Sequence, residues 1–478
     1  LLDEFGDAEI ASLVTPRPLI VEASRHPEVS GPPAPHDGRN GAAPGAIITP
    51  PIEAVEAEAA RARALVDGLT PPARVEVVDA MHAQPGSGPA LAKFLEALEP
   101  ALQLAPAGPP PTLLRDAVDA DARMERLFGR VLEDTQWVMR ESPARRGAFW
   151  AKADASSVEA WEKSAQWYRD YFWNEAIGPL PEATLPANAR SRQVYDEPAY
   201  RGYDVVLDVF PDVFAYGIVL VPKDIGPGER RPVVVCQHGL EGYPQKAADP
   251  GTHEAAYGQF GCRLAERGFV VYAPQNPYLG GDAFRVLQRK ANPLKKSLFS
   301  FIVRQHERTL EWLAEQPFVD AERIAFYGIS YGGKTAMRVP ALLPGYCLSI
   351  CSADYNEWIW KTASCRSRYS YMFTGEYEMD EFNLGNTFNH AEMSWLIFPR
   401  PFMVERGHHD GVAPDEWVAY EYARTFRRYN LLGLGERTEI EYFDGPHAIH
   451  GAGTFAFLQK HLNWPARKTD ASEKGAEE

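Results

Sequence analysis

The run Arg323-Ile-Ala-Phe-Tyr-Gly328-Ile329-Ser330-Tyr331-Gly332-Gly333 decides the fold: an apolar β-type segment enters Gly-x-Ser-x-Gly and leaves as a helix over 331–342. A serine at such a strand-to-helix turn sits on strained backbone with its hydroxyl presented outward. The glycines two residues to either side let strand and helix pass closely. A serine that merely caps the helix is the weaker alternative. Around this run the pattern alternates. Strands are expected at 204–209, 214–221, 232–236, 268–274, 323–328, 346–351, 401–406 and 437–443, with helices at 253–267, 298–315, 331–342, 414–430 and 452–463. Such alternation predicts an α/β fold, a mostly parallel eight-stranded sheet flanked by helices.

A serine hydroxyl is a poor nucleophile until a base removes its proton. His447, in Tyr-Phe-Asp-Gly-Pro-His447-Ala just after the last expected strand, is the first candidate, and His450 is its competitor. The imidazole needs a carboxylate to orient it. Asp410, in Arg-Gly-His-His-Asp410-Gly-Val, leads, with Glu405 and Asp354 as alternative acids. Acyl transfer also needs donors for the developing oxyanion. Tyr331 follows the serine, and the loop His238-Gly239-Leu240-Glu241-Gly242 offers a second amide, expected from Leu240 beside Gly239. His238 reads as a residue that holds this loop. His408-His409-Asp410 could suggest a metal site, but a complete nucleophile, base and acid make no metal and no cofactor the expectation.

With these residues, 196–466 resembles the dienelactone hydrolase-like and acetyl xylan esterase-like branch of the α/β-hydrolases. The likeness lies in His238-Gly239, Gly-Ile-Ser330-Tyr-Gly-Gly, Phe-Pro-Arg-Pro before the strand at 401–406, and Gly-Pro-His447. It implies the α/β-hydrolase fold and a serine carboxylesterase that needs no cofactor and acts on small-molecule or carbohydrate esters. Gly-x-Ser-x-x-Gly-Lys334 is also similar to the glucuronoyl esterase motif, in which the lysine contacts the sugar acid, although Tyr331 stands where those enzymes carry Arg. Ser-Tyr-Gly-Gly is similar to the prolyl oligopeptidase family as well, so a serine peptidase is the alternative, though residues 1–195 show no evenly spaced four-stranded blades. A non-catalytic hydrolase-like binding protein is a third reading. The insertion 353–396 carries Trp358, Trp360, Tyr369, Tyr371, Phe373 and Tyr377, and is expected to cover the pocket, either recognising aryl or sugar groups or simply packing.

A net charge of −16 repels phosphate backbones and argues against nucleic acid as a partner. No apolar run reaches the roughly 18 residues of a membrane span. Five cysteines without C-x-x-C spacing argue against a disulfide framework or a zinc site. The chain begins Leu1-Leu2-Asp3, which leaves the compartment open. Residues 7–29 align without gaps on 390–412, matching Pro16 to Pro399, Arg17 to Arg400, Pro18 to Pro401, Glu22 to Glu405 and His26 to His409. His82 falls opposite His447 in the same comparison. Residues 1–103 therefore read as the C-terminal part of a preceding hydrolase-like unit without a nucleophile, 104–111 as a linker, 112–195 as a helical lead-in, 196–466 as the catalytic domain and 467–478 as a polar tail. The tryptophans of the lead-in read as core.

Overall fold

Val233-Val-Val-Cys236 and Val270-Val-Tyr-Ala273 are apolar on both faces, as strands at the centre of a parallel sheet must be. In the computed structural model they form the middle of a nine-stranded sheet. The structure describes residues 4–30, 46–106, 108–112, 114, 119–281, 283–374 and 379–464, so the expected tail, part of the linker and Tyr377 lie outside the described residues. The chain divides into a larger unit, Gly129–Gln288 with Lys296–Glu478, and a smaller one, Leu1–Phe128 with Arg289–Lys295.

In the larger unit the strands are β1 (Arg190–Asp196), β2 (Tyr200–Phe210), β3 (Val213–Pro222), β4 (Arg231–Gln237), β5 (Val270–Pro274), β6 (Val319–Ile329), β7 (Leu348–Ser352), β8 (Phe402–Gly407) and β9 (Thr438–Phe443). Their order is β9-β8-β7-β6-β4-β5-β3-β2-β1. From β9 to β5 all pairings are parallel, while β3, β2 and β1 extend the sheet antiparallel. This is the α/β-hydrolase fold. Eight strands fall where the sequence places them; β1 is a correction, since that stretch reads as part of the helical lead-in. Arg-Ser-Arg-Gln-Val-Tyr-Asp has no apolar alternation to betray a strand, because it forms an exposed sheet edge where charged side chains are favoured. It is held instead by cross-strand pairs, Arg190 to Asp208 at 2.6 Å and Arg192 to Asp204 at 2.7 Å.

Alternation along the central strands sorts the core into two layers. Val233, Val235 and Phe326 face α4 (Leu298–Ala314) and α5 (Tyr331–Leu342). Val234, Cys236 and Tyr327 face α3 (Phe260–Glu266) and α9 (Ala452–His461). On the first face also lie α1 (Ala120–Phe149, in this unit from Gly129) and α2 (Val158–Tyr171). Here the tryptophans pack. Trp150 stacks on Tyr168 with centroids 4.0 Å apart and donates its indole N–H to the Thr387 carbonyl at 2.8 Å. Trp161 is fully buried, and its Nε1 donates to the Trp395 carbonyl at 3.2 Å. The lead-in thus clamps the 353–396 insertion from behind, with Gln136 bonded to the Ala363 carbonyl and Arg146 to that of Gly385. Trp137 and Trp167 are exposed.

The smaller unit holds a parallel pair, Leu19–Ser24 with Val75–Ala80, connected through the helix Ile52–Leu65 and followed by the helix Gly88–Leu98. Its core is slight: Ala8, Ala59, Ala62 and Val75.

Trp150→Ala removes a stacked, hydrogen-bonded side chain and should cost about 3–5 kcal/mol, whereas Trp137→Ala on the surface should stay within about 0.5 kcal/mol. Urea denaturation of both variants checks this; equal effects would refute the packing role assigned to Trp150.

Candidate active site

Ser330 adopts φ 58° and ψ −121° between β6 and α5, a conformation that side chains rarely take. The close approach of strand and helix explains both flanking glycines. A Cβ on Gly328 would overlap the Gly332 carbonyl, and one on Gly332 would overlap the Gln237 carbonyl of β4. The elbow is fixed by the Ser330 N–H donating to the Ser352 carbonyl at 2.9 Å and by the Lys334 N–H reaching the Ser330 carbonyl at 2.8 Å. Tyr331 opens the helix, so its N–H has no intrahelical acceptor.

The loop after β4 lies against the serine: a Cβ on Gly239 would stand 3.1 Å from the Ser330 Cβ. His238 holds this loop. Its Nδ1 is 2.7 Å from the Gly239 carbonyl, which can only accept, and its Nε2 is 3.3 Å from the Asn276 amide, which can only donate. Those partners assign a neutral ring protonated at Nδ1. Burial lowers its pKa to about 4, which keeps it neutral. Of the amides expected at the oxyanion position, that of Gly239 is already spent on the Tyr257 hydroxyl at 3.1 Å. That corrects its inclusion. The Leu240 and Tyr331 amides have no acceptor among the described residues.

His447 follows β9 and is partly open to solvent, its side chain 31% exposed. Its Nδ1 is 3.0 Å from Asp410 Oδ1, an ion-pair distance without the alignment of a hydrogen bond. Catalytic contacts are often this loose before substrate binds. The Ile449 amide donates to the Ala256 carbonyl, next to Tyr257, and so ties the His447 segment to the Gly239 loop. Asp410 is buried and held by Arg406, 3.1 Å from its Oδ2, and by the Val412 amide at 2.8 Å. Arg406 also bonds the Asp410 and Ala413 carbonyls. Arg406, like Tyr257 and Asn276, had no signal in the sequence, because i,i+4 spacing brings side chains together on a helix and Arg406 stands on strand β8. His450 turns instead to Glu441 at 2.7 Å. His408 and His409 pair separately with Asp415 and Asp444.

The two other carboxylates differ in kind. Glu405 is buried and filled: Oε2 accepts from Tyr327 at 2.9 Å and Ser352 at 2.6 Å, and Oε1 from the Gly451 amide at 2.9 Å and Thr454 at 3.2 Å. It has no capacity left for His447. Asp354 is buried beside Gly333, and burial pushes its carboxyl up to about 6 against the pull of Arg338, Lys334, Lys361 and His447. It lies within the field of His447, but its nearest imidazole is that of His390, 3.9 Å away.

Lys334 is 2% exposed. It donates to the Met379 carbonyl at 2.5 Å, lies 3.2 Å from Glu381 and sits 4.8 Å over the Trp358 ring. Arg338 grips the same Glu381 at 2.8 and 3.1 Å. Burial lowers the Lys334 pKa, and Glu381 opposes it. Its ammonium therefore has a carboxylate partner within the protein, Glu381. Trp358 is buried and stacked on His390, whereas Trp360 is 37% exposed and edge-on to Trp417 at 6.3 Å.

No family model matches the chain. Solved structures similar to it include a glucuronoyl esterase from Solibacter usitatus, with 14% identity over 65% of this chain and 95% of that one and a TM-score of 0.48. Another is a carbohydrate esterase family 15 glucuronoyl esterase from Caldicellulosiruptor kristjansonii, at 17% identity, 65% and 86% coverage and a TM-score of 0.46. A third is acetyl xylan esterase 1 from Thermoanaerobacterium sp., at 16% identity, 63% and 98% coverage and 0.41. The fold assignment rests on the strand order and elbow of this chain itself.

Glu405→Gln should lower stability by about 1–3 kcal/mol through mispaired buried donors; an unchanged urea midpoint would refute its anchoring role. Asp354 gives a pH test. Its native pKa of about 6 lies above the ordinary value near 3.9, so between those values the unfolded chain is ionised while the native carboxyl keeps its proton. Its contribution, roughly 2–3 kcal/mol, is present below about pH 4 and lost as pH rises through 6. Asp354→Asn should flatten that slope in denaturation measured from pH 4 to 7, and parallel curves for both proteins would contradict the assignment.

Proposed function

We propose that the protein is a serine ester hydrolase acting through a covalent acyl-enzyme. His447 takes the Ser330 proton as Oγ attacks the ester carbonyl, and the tetrahedral oxyanion is held by the amides of Leu240 and Tyr331. Collapse breaks the carbon–oxygen bond to the alcohol, which leaves with the proton returned by His447. Water, deprotonated by His447 in turn, then adds to the acyl carbonyl and frees the acid and Ser330. Asp410 orients the imidazole and stabilises its charged form. No cofactor enters these steps.

The observation that carries this reading is the strained Ser330 packed against the Gly239 loop, with a His447–Asp410 pair at 3.0 Å on a loop joined to it. For the substrate we favour carbohydrate esters, the class that the motif resemblance implies. In support, the exposed Trp360 stands edge-on to Trp417, and such aromatic faces suit the apolar faces of sugar rings.

A fluorophosphonate probe should label Ser330 and leave Ser330→Ala unmodified; folded protein that resists the probe would sink the enzyme reading. Asp410→Asn should lower kcat on aryl acetates or acetylated xylan by roughly 10³–10⁴-fold. If Asp354→Asn instead shows that loss, the acid is misassigned. Turnover of a proline peptide nitroanilide in place of esters would transfer the same residues to peptide cleavage.

A further inference from the structure

At the rim of the sheet that carries Ser330 lies a cavity of about 480 Å³, within the range of small-molecule sites. Because β3 runs antiparallel to β5, with Gly217 opposite Pro274, the start of β3 stands at the same rim as the ends of β4, β5 and β6. Two to three strand spacings of about 4.8 Å put the cavity roughly 10–14 Å along from the serine. Ligands in open α/β sheets bind at this rim.

Its walls define the ligand. Val213, Phe214, Leu279, Leu287 and Phe301 give an apolar, partly aromatic surface. Phe214 and Leu279 are exposed, at 56% and 68%. Among the described residues no lysine or arginine lines it and Asp212 is the one charged lining residue, so an anion is disfavoured. Gln275 spends its side-chain N–H groups on the Tyr278 carbonyl at 2.8 Å and the Gly242 carbonyl at 3.4 Å, and Gln305 spends one of its two on the Phe214 carbonyl at 2.8 Å. Their carbonyl oxygens, which take no hydrogen bond from the described residues, are left to accept. A molecule that fits is neutral, has an aromatic body and carries a hydroxyl donor.

The inner wall is continuous with the oxyanion loop. Asn276, in this wall, donates its backbone N–H to His238 Nε2 and accepts from Gln237 at 3.3 Å. Gln275 reaches the Gly242 carbonyl at 3.4 Å. The buried Tyr278 hydroxyl meets the Asn276 side chain at 3.4 Å and faces the Glu241 amide, so this ring stands between the cavity and the loop.

We infer that this cavity binds a neutral aromatic alcohol or phenol and that its occupancy is felt at the Leu240 amide through the 275–278 segment. The aromatic group belongs either to an arm of the ester substrate or to a separate small molecule. The link to Leu240 rests on the esterase reading; the binding itself does not.

Saturation-transfer NMR on the Ser330→Ala protein with 2-phenylethanol tests the binding apart from catalysis. A millimolar Kd is expected, with benzoate at least about tenfold weaker, and a loss of about tenfold or more in Val213→Trp, which fills the cavity. Phe214→Ala, at an exposed position that should not disturb folding, should also weaken binding. Absent binding, or binding that neither substitution alters, overturns the site. In the active enzyme, 2-phenylethanol that raises KM for a phenylethyl ester marks a substrate arm. A change in kcat for a short acetate marks a separate ligand, and no effect on either overturns the coupling. Fluorophosphonate labelling of the unmodified protein separates the readings: labelling without 2-phenylethanol binding refutes the cavity alone, and binding without labelling refutes the esterase alone.

Discussion

Beneath the rim that carries Ser330, four donors converge on the buried carboxylate of Glu405. They come from Tyr327 on β6, Ser352 on β7, and Gly451 and Thr454 at the start of α9. Burial raises its pKa, and the Gly451, Ser352 and Tyr327 bonds pull the other way. The geometry above depends on this knot. β6 ends in Ser330, the Ser352 carbonyl receives the Ser330 N–H, and the loop carrying His447 is pinned at its far end by Gly451. A group on β8 that satisfies donors from two other strands and a helix at once keeps them in register without being able to serve the imidazole.

This difference between a carboxylate filled by four donors and one that faces His447 was the part that the amino-acid order hid. Glu405 and Asp410 lie five residues apart at the end of one strand, and residue type cannot tell which of them has spare lone pairs. Only the donors brought in by β6, β7 and α9 decide it. By contrast, the elbow was legible because close packing at Gly328 and Gly332 admits one residue type, and close packing leaves a mark in sequence. The edge strand β1 was illegible for the opposite reason: it buries little and is paired through charges. Lys334 shows a middle case. Its motif was visible, but Glu381, which neutralises it, lies in the insertion, where no local pattern announces the pairing.

The smaller unit uses the same device in miniature. Glu22, opposite Glu405 in the alignment, accepts the Gly86 and Ser87 amides at 2.8 Å, just ahead of the helix Gly88–Leu98. Hydrogen bonds to Ser87 and Gly86 hold its carboxyl below the usual range. A carboxylate at a strand end that fastens the following helix gives a structural reason for Glu22 in a stretch where Pro27 stands opposite Asp410. The lead-in helices serve stability in another way, as the stack of Trp150, Tyr168 and Trp161 buries aromatic area against the back of the insertion.

His238 has a consequence for how the loop beside Ser330 responds to acid. Because its ring is sealed from water and locked in one tautomer by a carbonyl and an amide, it stays uncharged until the solution is strongly acidic. The loop beside the serine is then electrically silent across the range where an ordinary histidine titrates. Acidification through that range leaves the bonds of this ring to the Gly239 carbonyl and the Asn276 amide as they are.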